Sequence, residues 1–234
     1  MATERTAADS REAPTGASLS LRNYQQDAIK GTFAQLKDNR STLIVMATGL
    51  GKTVVFADII RRAQATGRGW RTLVLAHREE LITQAATIIH RVAGCGVDIE
   101  MGDQRANQDF LRKAPVIVST IQTQVAGRGD NKRMNRFDPK EFGLIIVDEA
   151  HHAISNSYKA VIDYYMSNPA ARLLGVTATP DRTDEAALGQ VFESVAYEYG
   201  IRNGIDDGWL APIKQRVVHV EGLDFSSCRT TAGD

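Results

Sequence analysis

Five short apolar runs, at 42–46, 72–76, 116–119, 144–147 and 173–176, constrain this chain more than any other feature. Each ends in small or polar residues, and stretches with helical periodicity at about 24–37, 53–65, 79–92 and 158–166 separate them. Apolar runs alternating with amphipathic helices argue for βα units and a parallel central sheet, so the expected class is α/β. In open sheets of this kind, ligands sit outside the carboxyl ends of the strands, where the polar run-ends gather. A further short strand is expected near 98–101. No repeat and no low-complexity segment is present.

Two of the run-ends carry chemistry. The first is MATGLGKT at 46–53. Gly49 and Gly51 allow turns in which successive N–H groups point at phosphate oxygens. Lys52 brings a positive charge to the β and γ phosphates, and Thr53 brings a hydroxyl for magnesium where a helix begins. The strict phosphate-loop pattern has Gly at its first position, where this chain has Met46. The second run-end is VDEAHH at 147–152. Asp148 and Glu149 are adjacent acids at the end of a buried strand, a costly placement unless a cation binds there. Metal held by Asp148, with Glu149 orienting water, supplies that reason. The plain alternatives are an incidental Gly-rich turn and a solvated acidic helix cap. Found together in this order, the two segments read as one nucleotide triphosphatase site. His151 and His152 lack further ligands at zinc spacing and read as polar couplers beside it.

Bulk properties narrow the class further. Lys and Arg balance Asp and Glu at 28 each among 234 residues, so any contact with nucleic acid must be local. Cys95 and Cys228 are far apart, which suggests a reducing compartment, and the expected location is cytoplasmic. No apolar run approaches the ~20 residues that span a bilayer, so no membrane is expected. The N-terminal stretch has no apolar core and does not read as a signal peptide. Residues 127–136 are basic and rich in turn formers, and are expected to form an exposed, solvated loop.

With these segments in hand, the chain resembles the superfamily 2 helicases and translocases, closest to the DEAH-type ATPases of restriction-enzyme motor subunits and XPB-like helicases. The resemblance covers about 19–213 and rests on these and further motifs in family order. It implies a RecA-like P-loop NTPase domain, a parallel central sheet flanked by helices on both faces, that uses ATP and Mg2+. In this resemblance the Walker A residues Thr48, Gly49, Leu50, Gly51, Lys52 and Thr53 hold the nucleotide. Thr53 and Asp148 hold magnesium, and Lys52, Asp148, Glu149 and His151 form the catalytic set. LRNYQQDAI at 21–29 is similar to the adenine-reading Q motif, placing Gln25 on the base with Arg22 beside it. LVLAHREEL at 73–81 and VSTIQT at 118–123 look like nucleic-acid motifs, implying backbone contacts from Arg78, Thr120 and Gln122. GVTATPDR at 175–182 looks like the motif in which Thr177 and Thr179 couple ATP to the nucleic-acid track. Without the family, the first of these reads as a helix start and the last as a tight strand exit.

The expected organisation is a tail at 1–18, the RecA-like domain at 19–220 and, at 221–234, a linker toward an absent second RecA-like domain. That second domain, from the same full-length polypeptide, is the expected partner together with nucleic acid, DNA in preference to RNA. Since it would supply arginine fingers, the isolated chain is expected to hydrolyse ATP very slowly. Rival readings are a non-catalytic nucleotide-gated scaffold, a P-loop kinase of small molecules and an RNA motor.

Overall fold

A computed structural model describes residues 20–67, 70–108, 113–178 and 188–214. Its strands are β1 (Ser41–Met46), β2 (Arg71–Ala76), β3 (Val97–Glu100), β4 (Val116–Thr120), β5 (Phe142–Asp148), β6 (Arg172–Thr177) and β7 (Ser194–Tyr199). Its helices are α1 (Asn23–Asp38), α2 (Lys52–Gln64), α3 (Glu79–Ala93), α4 (Ile121–Val125), α5 (Asn156–Met166) and α6 (Ile201–Asp206). The strands form one sheet in the order β3-β4-β2-β5-β6-β1-β7, and every pairing is parallel.

Strand alternation explains why the apolar runs are continuous. Ile44, Met46, Val74, Ala76, Ile146 and Val176 face one core, which α1, α2 and α3 cover. Leu43, Val45, Leu73, Leu75, Ile145 and Val147 face the other, which α4 and α5 cover. Each face must be apolar when both are buried, so the period-two pattern vanishes from the sequence. Burying one such side chain contributes about 1.5–3 kcal/mol, and these central strands carry the largest share of the core.

The two edge strands are less apolar. β3 lies within the expected neighbourhood and is only half-buried except at Glu100. β7 was not among the expected strands: its Val195 and Glu198 are exposed and its sequence, SVAYEY, mixes polar and apolar residues. An edge strand is covered on fewer sides, which removes the continuous apolar signal.

The basic stretch is largely exposed, as expected, but it is not a free loop. It forms two 3-10 turns, Gly129–Asn131 and Arg133–Arg136, and Arg133 turns inward. Glu100 at the end of β3 is 0% exposed and accepts from Arg133 Nε, from Arg136 Nη1 at 2.8 Å and from the Ala106 amide at 2.6 Å. Arg133 also donates to the carbonyls of Gly102 and Gln104 at 2.5 and 2.6 Å. A buried carboxylate needs paired cations and filled lone pairs, and the loop supplies them. Removing that charge strands Arg133 in its place. Glu100→Gln should lower the unfolding free energy in urea by about 3 kcal/mol, whereas a loss below about 0.5 kcal/mol would show the network to be incidental.

Candidate functional site

The phosphate-loop segment leaves β1 and returns as α2. Gly49 and Gly51 have φ of 86° and 81°, the left-handed region that side chains with a Cβ avoid. Gly51 caps α2 without a side-chain hydrogen bond, and no acid occupies the first turn of this 13-residue helix. Its first N–H groups and the positive end of its dipole are therefore available to an anion beside Lys52 and Thr53.

The loop is held from α1. Tyr24 Oη and Gln25 Nε2 both donate to the Leu50 carbonyl, each at 3.0 Å. Gln25 Oε1 accepts from the Arg22 amide at 3.0 Å, so one amide side chain ties the start of α1 to the loop. A Cβ on Gly51 would lie 2.7 Å from Gln25 Nε2, so any other residue there would have to push aside the amide that holds the loop as well as adopt a left-handed φ. Gln25, expected on a base, is 6% exposed and makes these loop-fixing bonds. Leu50 enters through its backbone, because its side chain is buried in the core.

The sheet brings the acids to the same edge. β6 lies between β1 and β5, with Val45 paired to Thr177 and Val176 paired to Asp148. The phosphate loop, Thr177 and the acidic pair thus leave three neighbouring strands side by side. Asp148 is 9% exposed. Burial and the Glu149 carboxylate push it up to about 6, against the Glu149 amide, Lys52 and His151, which pull it down. Glu149 has φ 53° and ψ 56°, a left-handed conformation that costs a non-glycine residue about 1 kcal/mol. Its amide donates to Asp148 Oδ1 at 3.0 Å, so the strained turn fixes the two carboxyls relative to each other. Tyr158 is buried beneath them with no hydrogen-bond partner for its hydroxyl among the described residues. Burial and both acids push that phenol up to about 12.

A buried acid whose charge lacks compensation, next to a helix-start hydroxyl, is an oxygen donor set suited to a hard divalent cation. No group of three or more His, Cys, Asp or Glu side chains among the described residues could hold a metal by itself. A cation here would share its coordination with ligand oxygens, as phosphate-bound magnesium does.

Histidines connect this edge to a second concavity. His151 Nδ1 lies 3.2 Å from Thr177 Oγ1 and 3.5 Å from Glu149 Oε2. His152 packs against His151 at 4.1 Å and stacks on His77 at 4.3 Å between centroids. Burial, then the neighbouring His151 and His77, hold His152 below the usual imidazole range. His77 opens onto a groove of about 650 Å3 that Arg78, Gln122 and Arg133 also line. Arg78 and Gln122 are exposed there. Thr120, expected to face nucleic acid, is 3% exposed; its hydroxyl donates to Thr123 Oγ1 at 2.7 Å and accepts from the Thr123 amide at 3.2 Å. Capping α4 engages that hydroxyl, while Thr120 still lines the groove beside Gln122. Thr179 lies outside the described residues.

Residues 18–182 match the model of the family described as type III restriction enzyme, res subunit. The chain belongs to that family. Res-subunit relatives include the putative ATP-dependent helicase IRC3 of Saccharomyces cerevisiae, 33% identical over 224 residues, which are 92% of this chain and 31% of that protein. The type I restriction enzyme EcoAI endonuclease subunit of Escherichia coli is 30% identical over 230 residues, covering 93% of this chain and 26% of its own. The DNA 3'-5' helicase XPB of Mycobacterium tuberculosis is 28% identical over 211 residues, with 87% and 35% covered. This chain therefore spans about a third or less of such relatives. Among solved structures, the helicase domain of Pyrococcus furiosus Hef superposes with TM-score 0.58 at 27% identity, over 73% of this chain and 37% of that one. The type ISP restriction-modification enzyme LlaGI, solved with a DNA substrate mimic, gives 0.62 at 20% identity, over 81% of this chain and 21% of that one. The chain thus has the RecA-like fold of a superfamily 2 helicase domain.

Asp148 gives the apo domain a defined pH response. Its folded-state value of about 6 lies above the ordinary 3.8, so the folded state holds this proton more tightly than the unfolded chain does. Its contribution favours folding at low pH, declines as pH rises from about 4 to about 6 and stays low above that. Asp148→Asn cannot ionise, so it should raise the apo unfolding free energy by about 3 kcal/mol at about pH 8 and hardly at all at about pH 4. Urea melts at the two pH values would show this, and equal effects at both would contradict it.

Proposed function

We propose that this chain is the ATP-binding half of a nucleic-acid-dependent ATPase, a DNA helicase or translocase of superfamily 2. The observation that carries the reading is the adjacency of the phosphate loop, Thr177 and the Asp148–Glu149 pair on neighbouring strand ends. DNA is preferred to RNA because several relatives are named as DNA helicases or translocases, against one named as an RNA helicase. The compartment is taken to be the cytoplasm, on the sequence argument from two separated thiols.

In this reading the N–H groups of Gly49, Gly51, Lys52 and Thr53 cradle the phosphates and Lys52 sits against the β and γ groups. Thr53 Oγ1 and the Asp148 carboxylate would hold magnesium, which supplies neutralisation of phosphate charge when it arrives with ATP. Glu149, fixed by its strained turn, orients water in line with the γ phosphorus and receives its proton. The bond from that phosphorus to the bridging oxygen breaks, leaving ADP and phosphate. His151 stands between Glu149 and Thr177, so a change at the acid reaches the end of β6. His152 and His77 continue the packed path to Arg78 and the groove, where Arg78 and Gln122 would meet the sugar–phosphate backbone. A second RecA-like domain would face the same edge and supply the arginine worth about 10³–10⁵ in turnover. Alone, this chain should therefore bind ATP and turn it over very slowly.

Hydrolysis should be measured for this chain and for a polypeptide of the relatives' length, with and without single- and double-stranded DNA and RNA. DNA should stimulate the longer protein, and Glu149→Gln should lower its turnover at least about 100-fold while ATP still binds. No stimulation by any polymer would replace this reading with a nucleotide-gated scaffold. Preference for RNA would move the proposal to an RNA motor.

A further inference from the structure

The segment after α6 packs on the phosphate loop and on the start of α1 at once. Gly208, with φ 73°, turns the chain back, and the amides of Trp209 and Leu210 both donate to the Gly204 carbonyl at 2.8 Å. Leu210 is thereby set against the loop: a Cβ on Gly49 would lie 3.3 Å from Leu210 Cδ2, and one on Gly204 would lie 2.8 Å from Leu210 Cδ1 and 3.2 Å from Leu50 Cδ2. Trp209, 43% exposed, places its ring under the Arg22 guanidinium, with Cζ 4.5 Å from the centroid. The same ring meets Tyr24 edge-on at 5.8 Å, and Tyr24 stacks on Tyr199 at 4.7 Å with 9° between planes. Arg22 Nη1 donates to Tyr24 Oη at 3.0 Å, the hydroxyl that itself holds the Leu50 carbonyl.

These contacts fix Arg22 in two ways, by an indole under one face and by a hydrogen bond at its tip. Arg22 is exposed, so a guanidinium held against one ring keeps a side for a second planar π system. The family match ends at residue 182, so nothing in it assigns a role to residue 209. We propose that Trp209 is a positioning residue for base recognition: it backs Arg22 so that the guanidinium lies flat against the purine of a nucleotide whose phosphates occupy the loop at Gly49–Thr53. The inference rests on the ATP-site reading above. It also separates the work within one segment, since Leu210 supports the phosphate loop while Trp209 serves the base.

The test compares equilibrium binding of ATP with that of inorganic tripolyphosphate, which has the phosphates and no base, both with magnesium. Trp209→Ala should raise the dissociation constant for ATP about tenfold and that for tripolyphosphate less than about twofold. Trp209→Phe keeps an aromatic face and should stay within about threefold of the parent for ATP. Arg22→Ala should weaken ATP similarly, and the double variant should lose little more, because both residues act through one contact. Trp70 is the other indole in the chain. In a Trp70→Phe background, ATP should quench the remaining Trp209 fluorescence and tripolyphosphate should not. Equal weakening of both ligands by Trp209→Ala would reassign the residue to loop support, and no weakening of either would overturn the proposal. A parent chain that binds neither ligand would overturn the ATP site itself.

Discussion

A parallel sheet buried on both faces must deliver every strand's carboxyl end to the same edge, and this constraint underlies the site. With β6 seated between β1 and β5, a loop for phosphate, a hydroxyl and two carboxyls become neighbours although they are spread from Gly49 to Thr177 in sequence. None of these groups needs a long side chain to reach the others. The strands bring the backbone there, and local turns aim the functional atoms.

Those local turns are where the fold carries strain and uncompensated charge. Glu149 adopts a left-handed conformation, Asp148 is buried next to another acid, and the Tyr158 hydroxyl beneath them lacks a partner among the described residues. Each lowers the stability of the domain by itself. A divalent cation bound with triphosphate would relieve the acid pair, so binding free energy and local strain are linked at the same atoms. The Leu50 carbonyl works in the opposite direction. Fixed by Tyr24 and Gln25, it keeps the loop's shape independent of the ligand and leaves less ordering to be done on binding.

The central strands were legible because burial on both faces writes a continuous apolar run, and so were the phosphate loop and acids, because their chemistry is local in sequence. β7 was not, since an edge strand with exposed Val195 and Glu198 carries no such run. The inward turn of Arg133 was equally hidden. A basic, turn-rich segment reads as solvated until Glu100, distant in sequence, is seen to be buried and in need of cations. Thr120 read as outward for the complementary reason: a strand-end Thr followed by Thr123 is as good a cap as a contact, and only the structure shows the cap. Trp209 lay beyond the motifs altogether, and its place under Arg22 depends on the turn at Gly208.

The central claim is that the phosphate loop and Asp148 act on one metal–nucleotide complex. The most direct measurement is the affinity of this chain for ATP with magnesium and with a chelator, repeated for Asp148→Asn. The account predicts binding at least about tenfold tighter with magnesium in the parent chain and an affinity indifferent to magnesium in the variant. Equal affinity with and without magnesium in the parent, or an unchanged magnesium dependence in the variant, would contradict it.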